Sequence, residues 1–73
     1  MKKKKSALYK TLFFKGEENG WTVITKPHEQ EWGFIGWSPV NETWDAYPHQ
    51  GMSLDALRCR QIARFLTRIN NEC

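Results

Sequence analysis

Residues able to do covalent or metal chemistry are few in this chain, and their spacing does not suit it. His28 and His49 stand twenty-one positions apart in turn-like segments, without the paired CxxC or HxxxH spacing of a zinc site. Cys59 and Cys73 are fourteen residues apart in or beside a C-terminal helix, roughly 21 Å along its axis, which is too far for a disulfide. Neither thiol has a partner histidine near a predicted helix N-terminus, so no thiolate nucleophile is expected. Gly33-Phe34-Ile35-Gly36 lies inside a strand-like run and does not open a helix, as a phosphate loop would. Glu17, Glu18, Glu29 and Glu31 cluster in turns, where solvation is the default. The expectation is a protein that is not an enzyme, with no catalytic residue, no metal and no cofactor.

Recognition is the chemistry that remains, and two groups of residues suit it. Arg60, Arg64 and Arg68 recur every fourth residue and so share one helix stripe, where three guanidinium forks along some 12 Å suit carboxylates or phosphates. Only Asp55 and Glu72 are near them in sequence to neutralise them, and an ordinary solvated helix face is the plain alternative. The second group is aromatic. Ten residues are Phe, Trp or Tyr, and nine of them fall between Tyr9 and Tyr47.

The elements that must position these groups follow from periodicity and turn signals. Residues 7–14 are apolar and β-favouring, and the polar loop Gly16-Glu17-Glu18-Asn19-Gly20 separates them from a second strand over 21–26, giving a hairpin. A third strand is expected over 31–38 and a short fourth over 43–47, divided by the turns at Pro27 and Pro39. Ser53 reads as an N-cap, with Asp55 in the first turn of a helix over 54–70 whose apolar stripe is Leu54, Ile62, Phe65, Leu66 and Ile69, with Cys59 at its edge. Arg58 falls inside that stripe, so its head must snorkel out or meet a carboxylate. The expected fold class is α+β: a three- to four-stranded, antiparallel, curved sheet in the order β-β-β-β-α, with one amphipathic helix on one face. Residues 1–6 read as a flexible lysine tail and residues 7–73 as a single domain.

Strand alternation puts apolar residues on both sheet faces. Trp32 and Phe34 are expected opposite Ile35 and Trp37; Leu8, Leu12 and Phe14 opposite Tyr9 and Phe13; Trp21 and Val23 opposite Ile24. One helix covers one face, so aromatic surface is left over unless bends at Gly33 and Gly36 curl the sheet around a single core. Of Trp21, Trp37 and Trp44, one or two are expected to stay accessible.

Size and charge narrow the partner. A chain of 73 residues buries only about 60% of its extended surface and must rely on dense aromatic packing, self-association or a staple. Its net charge of +3 is uneven: Lys2 to Lys5 carry +4, residues 6–52 hold three lysines against six acids, and residues 53–73 hold four arginines against two acids. A domain-wide electrostatic footprint for DNA is therefore lacking. Lys10 and Lys15 interrupt the apolar run after the lysines, no signal-peptide core follows, and no stretch of 18 apolar residues exists, so a cytosolic, reduced protein without membrane contact is expected.

Trp37-Ser38-Pro39, a polar loop, then Gly51-Met52-Ser53-Leu54 and an amphipathic helix resemble the positive cofactor 4 family of transcriptional coactivators and their small bacterial relatives. The resemblance covers roughly residues 20–70 in the order of elements and seven residues in motif. It implies a curved antiparallel sheet with a C-terminal helix, a homodimer, and single-stranded nucleic acid bound on the sheet. Trp21, Trp32 or Trp37 would then stack on bases, and Lys10, Lys15 and Lys26 would touch phosphates. The excess of acids in the strand half departs from the positive groove such binding needs.

The leading expectation is thus a noncatalytic interaction protein, a regulator or inhibitor that docks on a larger protein or nucleoprotein. Trp21, Trp37, Trp44, Arg60, Arg64 and Arg68 are the residues expected to make contact. Accessory proteins of phages and mobile elements commonly act this way. The alternative is a homodimeric single-stranded nucleic-acid binder.

Overall fold

A computed structural model describes residues 3–53 and 55–72. Five strands, β1 (Ala7–Leu8), β2 (Leu12–Gly16), β3 (Gly20–Thr25), β4 (Gln30–Ser38) and β5 (Thr43–Pro48), form one antiparallel sheet in sequential order, followed by the helix α1 (Ala56–Asn71). The α+β class, the antiparallel pairing and the single C-terminal helix match the expectation. The strand count does not. The run expected as one strand over 7–14 doubles back at Tyr9-Lys10-Thr11, where the Tyr9 amide donates to the Leu12 carbonyl at 2.8 Å. Leu8 then pairs with Phe13, and Ala7 with Phe14.

Residues ahead of β1 belong to the packing as well. The Lys4 amide donates to the Glu17 carbonyl at 3.0 Å, the Gly16 amide donates to Ser6 Oγ at 2.9 Å, and the Trp21 indole N–H donates to the Lys5 carbonyl at 2.9 Å. Gly16 is required there, because a Cβ at that position would run into the Lys4 carbonyl. The basic segment expected to stay apart from the domain is therefore laid against it from Lys4 onward.

Leu12, Phe14, Trp21, Val23, Trp32 and Ile35 from the sheet, with Ile62, Phe65 and Ile69 from α1, make one buried cluster. Phe65 stacks flat on Phe14 with ring centroids 4.0 Å apart and meets Trp21 edge-on at 5.2 Å. Such paired geometry adds about 0.5–1.5 kcal/mol per pair to the area burial. The helix begins two residues later than the Ser53 cap implies. Asp55 is the N-cap, its carboxylate accepting from the Arg58 amide at 2.9 Å. Leu54, expected in the apolar stripe, lies outside the described residues, as does Cys73; Cys59 is exposed and free. Of the two expected placements Arg58 takes the carboxylate, reaching Asp55 at 3.4 Å, and its head also donates to the Lys26 carbonyl at 2.9 Å.

Two side-chain amides, Gln61 buried and Asn70 half-buried, lock α1 to the sheet. Gln61 Oε1 accepts from the Thr11 amide and the Thr11 hydroxyl at 3.2 and 3.0 Å, which fixes the β1–β2 turn. Asn70 grips the free edge of β5: its Oδ1 accepts from the Trp44 amide at 2.9 Å, and its Nδ2 donates to the Trp44 carbonyl at 3.3 Å. Asn70 thus acts on this edge as a paired strand residue would.

Candidate functional site

Among the described residues, no second layer covers the side of the sheet away from α1. Register places Leu8, Phe13 and Ile24 in one row across β1, β2 and β3, and Lys15, Thr22, Phe34 and Tyr47 in the next row across β2 to β5. Leu8 is 72% exposed and Tyr47 47%, while Phe13, Ile24 and Phe34 are half-buried. Phe34 settles over Gly20 and Gly36, whose missing side chains leave room for its ring. The result is an apolar band crossing all five strands, about 19 Å at the usual strand spacing. Its charges are mixed. Lys15 and Lys26 flank it from β2 and the end of β3, with Lys26 Nζ 5.6 Å from the Phe13 ring centroid. Glu31, joined to His49, and Asp45 lie toward β4 and β5. Hydrogen bonds from Asn41 (2.8 Å) and Thr43 (2.7 Å) hold the Asp45 carboxyl below its ordinary pKa.

The helix side carries a chain of rings, Tyr9, Phe14, Phe65, Trp21, Trp44 and Trp37, with successive centroids 4.0–5.5 Å apart. Trp21 is 7% exposed at its centre and Trp37 48% exposed at its end. Lys4 Nζ lies 4.7 Å from the Trp44 ring and 5.5 Å from Trp21, covering the middle of the chain. Of the tryptophans expected at a contact surface, Trp37 is therefore open, Trp44 is partly covered and Trp21 is core. Trp32, expected beside Phe34, is also core at 6% exposure. The register shifts between Val23 and Ile24, opposite Glu31 to Gly33, and this one-residue irregularity turns Trp32 to the side of Ile35. Trp21 and Trp32 are thus not open for base stacking.

The cations divide unevenly too. Lys10, Lys15 and Lys26 do not share a groove: Lys15 and Lys26 border the open sheet face, while Lys10 sits in the β1–β2 turn facing α1. Arg68 is tied to Glu72 at 3.1 Å beside a hollow of about 470 Å³ between the N-terminal segment and the C-terminal half of α1. Arg60 and Arg64 have no acidic partner among the described residues. They join Lys10 around a separate cleft of about 520 Å³ whose remaining lining is Tyr9, Leu57, Gln61 and Ala63. The expected three-arginine stripe is thus electrostatically a pair plus a neutralised third member.

Among the described residues no cluster of three or more His, Cys, Asp or Glu could hold a metal ion, and no helix is long and apolar enough to cross a membrane. Compared with known protein families, curated proteins and solved structures, the chain matches none. The band residues Leu8, Phe13, Ile24, Phe34 and Tyr47 were not singled out from the sequence as a surface. The alternation of β2 and β4 carried a signal for Phe13 and Phe34, but Leu8 became legible only once β1 was known to fold back.

Proposed function

We propose that this chain is a noncatalytic interaction module that docks on a larger protein or nucleoprotein and acts by covering its working surface. One observation carries the reading: the band from Leu8 through Phe13, Ile24 and Phe34 to Tyr47 takes one apolar residue from each of the five strands, and no other element among the described residues covers it. A contiguous apolar strip rimmed by charge is the usual anatomy of a docking face, and its aromatic members suit the centre of an interface. The rim favours a protein partner over a nucleic-acid backbone. Lys15 and Lys26 on one side are balanced by Glu31 and Asp45 on the other, whereas a surface tracking phosphates needs one sign of charge.

The test is affinity capture from a cell lysate with quantitative mass spectrometry, comparing wild type with Leu8→Glu and Tyr47→Glu. Both side chains are about half exposed or more, so circular dichroism and melting should stay close to wild type. The expected result is one set of proteins captured by wild type and lost by both variants. Recovery of the same proteins at the same abundance would remove the sheet face from the mechanism. Titration of a labelled single-stranded oligonucleotide at two salt concentrations decides the nucleic-acid alternative: tight binding with a steep salt slope would replace the present reading.

A further inference from the structure

The cleft between the β1–β2 turn and the first half of α1 brings cationic and apolar side chains onto one concave surface. Lys10, Arg60 and Arg64 border it without an acidic partner among the described residues, and no acidic side chain lines it. Arg60 and Arg64 stand one turn apart on α1, about 6 Å along the axis. Its lining also includes apolar surface, with Leu57 45% exposed and Ala63 beside it. Gln61 lines it at 6% exposure; its Oε1 is occupied by Thr11, and its amide nitrogen donates to no described residue. At about 520 Å³ the cleft is within the ordinary range of ligand sites.

We propose that this cleft binds an acidic peptide segment carrying an apolar side chain. Two carboxylates about 6 Å apart, as on alternate residues of an extended strand or successive turns of a helix, pair with Arg60 and Arg64. Lys10 supplies the third positive charge, the apolar side chain lies on Leu57 and Ala63, and the Gln61 amide donates to a peptide carbonyl or carboxylate. A phosphate backbone would use the cations but leave the apolar lining and Leu57 wet, which favours the peptide. The inference shares the reading of the chain as an interaction module, yet it concerns a surface separate from the sheet face, and the two fail separately.

Fluorescence anisotropy with a fluorescein-labelled peptide of alternating glutamate and leucine tests it, beside a counterpart with glutamine for glutamate and a labelled oligothymidylate. The glutamate peptide should bind at low salt, at least tenfold tighter than the glutamine peptide, and weaken as salt rises. The double variant Arg60→Glu, Arg64→Glu should lose at least tenfold in affinity, Leu57→Asp should lose severalfold, and Tyr47→Glu should bind as wild type does. All substituted positions are exposed, and circular dichroism verifies the helix in each variant. Equal binding of both peptides, no binding of the glutamate peptide, no effect of the double variant, or tighter binding of the oligothymidylate would each overturn the proposal. Loss of peptide binding in Tyr47→Glu would move the site to the sheet face and overturn it equally.

Discussion

Replacing Asn70 with alanine tests how the last turns of α1 hold the sheet edge. The substitution removes two hydrogen bonds to one backbone unit, from the Trp44 amide at 2.9 Å and to the Trp44 carbonyl at 3.3 Å. A net intramolecular hydrogen bond is worth about 0.5–1.5 kcal/mol, and the longer bond belongs at the low end, so the pair contributes about 1.5–2 kcal/mol. For 73 residues the whole stability is about 4–11 kcal/mol, which makes this a large fraction. At about 4–8 °C per kcal/mol for a domain of this size, the melting temperature should fall by about 6–16 °C. The assay is thermal and urea unfolding followed by tryptophan fluorescence, with amide exchange at Trp44 as the local readout. Urea slopes should be unchanged and Trp44 protection should fall more than that of β3. Asn71→Ala, at the exposed neighbouring position, should stay within about 0.5 kcal/mol of wild type. A melting temperature lowered by less than about 2 °C, with Trp44 still protected, would refute the claim that Asn70 clamps the β5 edge.

The tryptophans should separate by burial. Trp21→Ala should cost about 3–5 kcal/mol, because it empties the centre of the ring chain, whereas Trp37→Ala should cost about 1 kcal/mol; similar urea midpoints for the two would contradict the assigned exposures. Asp45 should make a pH-dependent contribution. Hydrogen bonds lower its folded pKa below the ordinary 3.8, so its stabilisation is present above that value and disappears as pH falls through the lower, folded value. The melting gap between wild type and Asp45→Asn should therefore be open at pH 6 and close in strong acid, and a gap independent of pH would exclude this role for the carboxylate.

How far the fold could be read in advance varied with the kind of signal. Alternation and turn residues located β3, β4 and β5 closely, since Asn19-Gly20, Pro27 and Pro39 mark the chain reversals directly. The reversal after Leu8 has no such marker. Its turn residues Tyr9-Lys10-Thr11 include no Gly, Pro, Asn or Asp, and the bend is held by Gln61, fifty residues away. The irregularity at Trp32 was equally silent, because a one-residue slip leaves composition and hydrophobicity unchanged while exchanging the faces. The arginines at 60 and 64 were legible as a pair of adjacent turns, but their cleft needed Lys10 from the other end of the chain.

Local rules alone thus determined the hairpin order and the C-terminal helix with its Ile62, Phe65 and Ile69 stripe. Those features rest on short-range periodicity and on turn chemistry. Tertiary structure decided which aromatics remain outside. Trp21 and Trp32 went into the core and Phe34 and Tyr47 onto the open face, because register and a single irregularity assign every strand residue to a side. It also decided how the cations are partnered: Arg68 meets Glu72, while Arg60 and Arg64 border one cleft with Lys10 and have no acidic partner among the described residues. Charge pairing depends on distances in space, and sequence spacing reveals those only within one helix.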